Sequence, residues 1–270
     1  MMNKQQIEEM TCSRDFVTAA LFSSATTGSI GAKGGGFRVL EAGGRDDLFE
    51  RLKREFPEAE VMRQKEGLQA PAAEGVFNYI NAAGIKYLSC GEKTDRLFRE
   101  LAVLLKPGGV MSAHVCSFSG YYGAVMLGDI IRRLSRGQNP VDTVKIARAV
   151  IRELPETHPA FSCESLKPRD ETAVKELLDL SEAIDHVDKL YTVSKLMDAI
   201  PRWMGQGRGR FLRWVFPPLY DPTSPFESWF ESIGPGMPRR LNALPEPRRS
   251  IAAELLTASP PGHYFLVQKF

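Results

Sequence analysis

Phe37-Arg38-Val39-Leu40-Glu41-Ala42-Gly43-Gly44 reads as a buried strand running into a glycine turn. That order opens a βαβ unit of the nucleotide-binding kind, whose first turn must let backbone approach a ligand closely. Just downstream, Asp46 or Asp47 is placed to cap a helix that carries Leu48, Leu52 and Phe56 at helical spacing, and Pro57 stops it. Ala59-Glu60-Val61-Met62 is a second short strand, and the polar stretch from Arg63 to Glu74 reads as loop. Val76 to Asn81 is the next strand. A helix from about Lys93 to Leu105 follows, with Leu97, Phe98, Leu101 and Leu104 on one face. Pro107-Gly108-Gly109 reads as a turn before a strand over Val110 to Val115. Strands alternating with helices predict an α/β fold with a parallel sheet covered on both faces.

Working outward, residues 5–24 suit one helix, and Thr26 to Gly36 is a glycine-rich lead-in. Beyond the strand ending at Val115, Tyr121 to Leu154 predicts two helices broken near Gly137 to Pro140, and Glu171 to Ile184 a further one. Thr192 or Ser194 caps a helix with Leu196, Met197 and Ile200. Phe211 to Phe216 reads as a strand, Pro217 to Pro247 as a proline-rich, aromatic excursion, Ile251 to Thr257 as a helix, and Tyr264 to Val267 as a terminal strand. The organisation expected is a lead-in over 1–36 and one domain over 37–270, with a helical insertion at about 120–190.

Composition narrows the function. Of 270 residues, 43% are hydrophobic and 25% charged, the balance of a globular domain. A net charge of +2 supplies no field to recruit nucleic acid or an anionic membrane. No apolar run nears the ~20 residues that span a bilayer, and the polar N-terminus lacks the order of a signal peptide. Cys12, Cys90, Cys116 and Cys163 are widely spaced, which suits free thiols in a cytoplasmic setting. His114, His158, His186 and His263 show no metal-site spacing, so no metal is expected. The short arginine clusters are scattered, and nucleic-acid binding is not expected.

Four passages together resemble the class I methyltransferase family, which uses S-adenosylmethionine (SAM). Val39 to Gly44 is similar to the family's first strand and glycine loop, and Ile80 to Leu88 to its fourth strand and following loop. Phe98 to Leu101, then Leu104-Leu105-Lys106-Pro107-Gly108-Gly109-Val110, is the most specific match. Asp188 to Val193 with Phe211 to Trp214 looks like the sixth-strand region of a bacterial subgroup with a helical insertion. The resemblance implies a Rossmann-like sheet whose last strand runs antiparallel beside its predecessor. It places Glu41, Gly43, Gly44 and Asn81 beside SAM. His114, Tyr121 and Tyr122 follow the strand whose C-terminal end faces the crevice, so they are the candidate catalytic groups, with His114 as general base.

The sequence also departs from that pattern. Later glycine positions of the loop are Arg45 and Asp47, whose side chains would project where the cofactor lies, and a positive φ there costs a non-glycine residue roughly 1 kcal/mol or more. After the second strand comes Met62-Arg63-Gln64-Lys65, with no carboxylate for the ribose hydroxyls; Glu60, Glu66 and Glu74 are the nearby acids. Only a dozen or so residues then precede Val76, where the family carries a helix and a whole strand, so one internal βα unit is expected to be missing. Two readings follow. In the first, SAM binding is degenerate or lost and the protein is a non-catalytic scaffold or a partner subunit, of an active homologue or of itself. In the second, it is an active methyltransferase for a small-molecule or natural-product acceptor with an altered cofactor site.

Overall fold

A computed structural model describes residues 4–22, 36–64, 74–205, 209–216, 243–245, 248, 251–252 and 262–270. Among the described residues six strands form one sheet: β1 (Arg38–Glu41), β2 (Glu60–Arg63), β3 (Phe77–Ala82), β4 (Leu105–Val115), β5 (Gly209–Phe216) and β6 (His263–Lys269). Their spatial order is β2-β1-β3-β4-β6-β5. The first four run parallel, and β6 is antiparallel to both β4 and β5, the arrangement the resemblance implied.

Period-two alternation sends side chains to opposite faces. On one face Leu40, Ile80, Met111, Phe265 and Val267 pack against α4 (Glu92–Leu104) and α8 (Val193–Trp203). Trp203 anchors this layer, stacked on Phe98 with ring centroids 4.3 Å apart. On the other face Val39, Tyr79, Val110 and Leu266 meet Leu48 and Leu52 of α3 (Asp46–Glu55). Cys12 and Val17 join them, from the corner and second helix of the pair α1 (Lys4–Thr11) and α2 (Arg14–Phe22). Between β4 and α8 the chain builds a helical cluster from α5 (Phe118–Leu134), α6 (Pro140–Glu153) and α7 (Glu171–Ala183). Its helices start at side-chain caps: Ser117 for α5, Asn139 followed by Pro140 for α6, and Asp170 for α7. Thr192 rather than Ser194 caps α8.

Several elements differ from expectation. Where one helix is expected over 5–24, the described residues 4–22 form two. The carbonyl of Thr11, which would continue the helix, accepts instead from the Tyr79 hydroxyl (2.8 Å), while Thr11 Oγ1 donates back to Glu8 O. Pro107-Gly108-Gly109 is not a turn; it lies inside β4, where the register against β3 shifts between Phe77 and Tyr79 and Gly108 takes up the irregularity at φ +79°. Neither Asp46 nor Asp47 caps α3. Arg45 occupies the N-cap position without a side-chain bond, and the two carboxylates pair with Arg63 and Arg45. Only Ile251 and Ala252 of the expected 251–257 helix are described, and they are helical. Nearly all of the 217–247 excursion lies outside the described residues. Thirteen residues separate β2 from β3, and among the described residues β2 is an edge strand.

Candidate functional site

The C-terminal ends of β1, β3 and β4 define the crevice of an open α/β sheet. Glu41, Asn81 and Ser112 stand side by side there in register, on the face that carries α1, α2 and α3. All three are essentially inaccessible to solvent. Glu41 Oε1 accepts from Gly43 N (2.8 Å) and Oε2 from Arg45 N (3.1 Å), so the carboxylate folds the glycine turn back on itself. Burial pushes the Glu41 carboxyl up to about 7, although the backbone donors of Gly43 and Arg45 and the Arg45 charge pull the other way.

Among the described residues, the loops after β1 and β3 meet at the crevice. A Cβ on Gly43 would lie 2.8 Å from the carbonyl carbon of Gly84 and 2.8 Å from Glu41 Oε1, so the loops after β1 and β3 touch backbone to backbone. From the other side, a Cβ on Gly84 would lie 2.9 Å from Leu48 Cδ1 and 3.4 Å from Arg45 Cδ. Above this contact sits the α1–α2 corner. Asn81 Nδ2 donates to Cys12 Sγ (3.0 Å), and Asn81 Oδ1 accepts from Ser112 Oγ (2.9 Å) and Ala83 N (3.2 Å). Burial, with Glu41 nearby, pushes the Cys12 thiol up to about 12. The Arg45 guanidinium bridges Asp47 and the buried Glu8 of α1, and Arg51 binds Glu9 (3.0 Å).

Each predicted residue can be placed against this. Glu41, Gly43 and Asn81 do come together at one point, and Gly44 carries the loop's positive φ of +71°. Arg45 has φ −87°, so the strain expected there is absent and the consequence of losing glycine is steric and electrostatic instead. At the end of β2, where a ribose acceptor is expected, Arg63 pairs with Asp46. Glu60 lies at the opposite end of that strand bound to Arg38 (2.6 Å), Glu74 is exposed, and Glu66 is outside the described residues. His114 is buried and stacked on Tyr264, with ring centroids 4.2 Å apart. Tyr121 is buried in the helical cluster, whereas Tyr122 is exposed against Phe118. Thr11, Cys12 and Glu8 were not expected at the site. The one sequence clue was an acidic helix preceding an arginine in a glycine loop.

A separate cavity of about 310 Å³ opens on the other side of the sheet, between the start of α4 and α8, lined among others by Cys90, Asp95, Tyr191, Lys195 and Arg202. None of the predicted site residues lines it. Among the described residues no group of His, Cys, Asp or Glu is arranged to hold a metal, and no helix is long and apolar enough to cross a membrane.

No family profile matches the sequence, and no curated protein matches it. Solved structures do match. PKMT2 from Rickettsia typhi superposes with a TM-score of 0.54 at 12% identity, over 93% of this chain and 52% of that one, so this chain spans about half the length of that protein. The same protein in complex with AdoHcy gives 0.45 at 13% identity (86% and 48% covered). The plantazolicin methyltransferase BpumL in complex with SAH gives 0.43 at 11% (99% and 86% covered). These last two fall below the level at which a superposition supports an argument. Strand order, the antiparallel last strand and the first superposition agree: the chain has the Rossmann-like class I methyltransferase fold.

Proposed function

We propose that this protein keeps the methyltransferase scaffold without binding SAM in the usual crevice, and acts as a non-catalytic scaffold or partner subunit. The observation that carries this reading is the close approach of Gly43 to the Gly84 backbone, which brings together the two loops that would flank a cofactor. Three further features support it. Thr11 and Cys12 hold the polar row that a ligand would otherwise engage. Arg45 is tied across the glycine loop to α1. Arg63 stands where a ribose would need an acceptor, and a guanidinium has no acceptor to offer. Glu41, Gly43, Gly44 and Asn81 then serve internal structure, and His114 and Tyr121 serve packing.

The test is calorimetric titration of SAM and of S-adenosylhomocysteine into the full chain, with thermal shift alongside. Absence of heat and of any shift at millimolar ligand is the expected result. Micromolar binding would overturn the reading and favour an enzyme whose site is rebuilt by displacement of the N-terminal helices.

A further inference from the structure

The helix α5 is apolar on almost every side. Its inner face is buried through Gly120, Tyr121, Ala124, Val125, Leu127, Gly128 and Ile131. Its outer face carries Phe118, Tyr122, Met126, Ile130 and Leu134, each 38–57% exposed. These five recur at every fourth residue, so they form one continuous ridge about 24 Å long at 1.5 Å per residue. Val141, at the start of α6, is 64% exposed and follows in sequence where the ridge ends. A helix that is hydrophobic all round is ordinarily covered all round, and an exposed apolar ridge of this length marks a contact surface.

We propose that this ridge docks on the same ridge of a second copy of the chain, antiparallel, about a two-fold axis close to Met126. Three observations select a second copy. The ridge is regular about its own centre: two large apolar residues stand on either side of Met126 at equal spacing, so a two-fold axis there sets Tyr122 against Ile130 and Phe118 against Leu134 of the second copy, apolar on apolar throughout. A ridge built at i, i+4 also fits the groove between equivalent ridges, the commonest way two helices pack. Finally, the ends are complementary. One end carries the exposed aromatic pair Phe118 and Tyr122, with ring centroids 5.1 Å apart, and the other carries Arg133 (77% exposed) and Arg136. Antiparallel docking turns Arg133 of each copy toward the end of the second copy's ridge that carries the aromatic pair, a favourable cation–π arrangement; parallel docking would set the arginines against each other. Near the centre, Asp129 is already neutralised by Arg132 and Arg133, so no unpaired carboxylate obstructs burial.

Sedimentation velocity of the full chain from low to high micromolar concentration tests the proposal. A dimer is expected, and Met126→Glu with Ile130→Glu should weaken it at least tenfold while circular dichroism and melting temperature stay as in the parent. Orientation is read by oxidative cross-linking in a Cys90→Ser background. Met126→Cys should link to itself, and Tyr122→Cys should link to Ile130→Cys on a second copy rather than to itself. A monomer at every concentration, a dimer indifferent to the two glutamates, or preferential Tyr122→Cys self-linking would each overturn the proposal.

Discussion

Gly43 is the residue on which the site turns. In an open cofactor loop, a methyl group there would obstruct ligand and leave the fold alone. Here the methyl would meet the Gly84 carbonyl carbon at 2.8 Å, and backbone cannot swing aside. Gly43→Ala is therefore expected to lower stability by about 1–3 kcal/mol or more, measured by urea unfolding. Gly84→Ala should cost less, because its nearest obstacle is the Leu48 side chain. Glu41 gives a second test. Its carboxyl ionises at about 7 in the folded protein against an ordinary value of 4.5, so between those limits the native state holds a proton that the unfolded chain has released. The stabilisation is complete below about pH 4.5 and is lost as pH rises to about 7, by at most roughly 3 kcal/mol. The other charged group bearing on it is Arg45, with the Cys12 thiol close by. Glu41→Gln should flatten the fall in stability between pH 5 and 7; a variant with the parent's slope would remove Glu41 as its source.

At the scale of elements, the sheet was legible because each strand carries its own signal. Short, largely apolar runs placed β3 and β6, and the glycine turn placed the end of β1. The Lys106-Pro107-Gly108-Gly109 run marked the right boundary but the wrong conformation, because a bulge and a turn use the same residues and only the β3 register tells them apart. The break between α1 and α2 was hidden for a related reason: what ends α1 is Tyr79, 68 residues away from the carbonyl it captures. In the helical cluster, packing is set by glycine. A Cβ on Gly123 of α5 would fall 2.2 Å from the Pro159 carbonyl carbon, whereas one on Gly128 would meet the Ser181 side chain at 2.6 Å. Gly123→Ala should cost several kcal/mol or prevent folding, and Gly128→Ala less, since the first methyl would meet three backbone atoms of Pro159 and Ala160 within 2.4 Å and the second only one atom closer than 3.0 Å, Ser181 Cβ at 2.6 Å. Thermal melts of the two variants decide this, and equal losses would mean that the α5 packing against 159–162 is looser than described.

For the whole molecule, the departures from the family pattern were readable but their meaning was not. Arg45 and the missing ribose carboxylate signalled a changed site. That the change is completed by Glu8, Thr11 and Cys12 depends on contacts spanning 37 to 70 residues, for which no local period exists. These contacts give the N-terminal helices a role that a truncation would reveal as a loss of core, since Cys12 and Val17 are wholly buried beside Tyr79 and Leu266. They also leave the protein with a chemical clock. Cys90 is half-buried, while Cys12, Cys116 and Cys163 are buried. A thiol reagent should therefore modify one cysteine quickly and the rest only as the structure opens. Cys12 lies in the α1–α2 corner with its thiol against the sheet, so its labelling rate times the departure of those helices from the sheet. Arg45→Ala, which removes one ion-pair partner of Glu8, should quicken that one clock and leave those of Cys116 and Cys163 at their former pace.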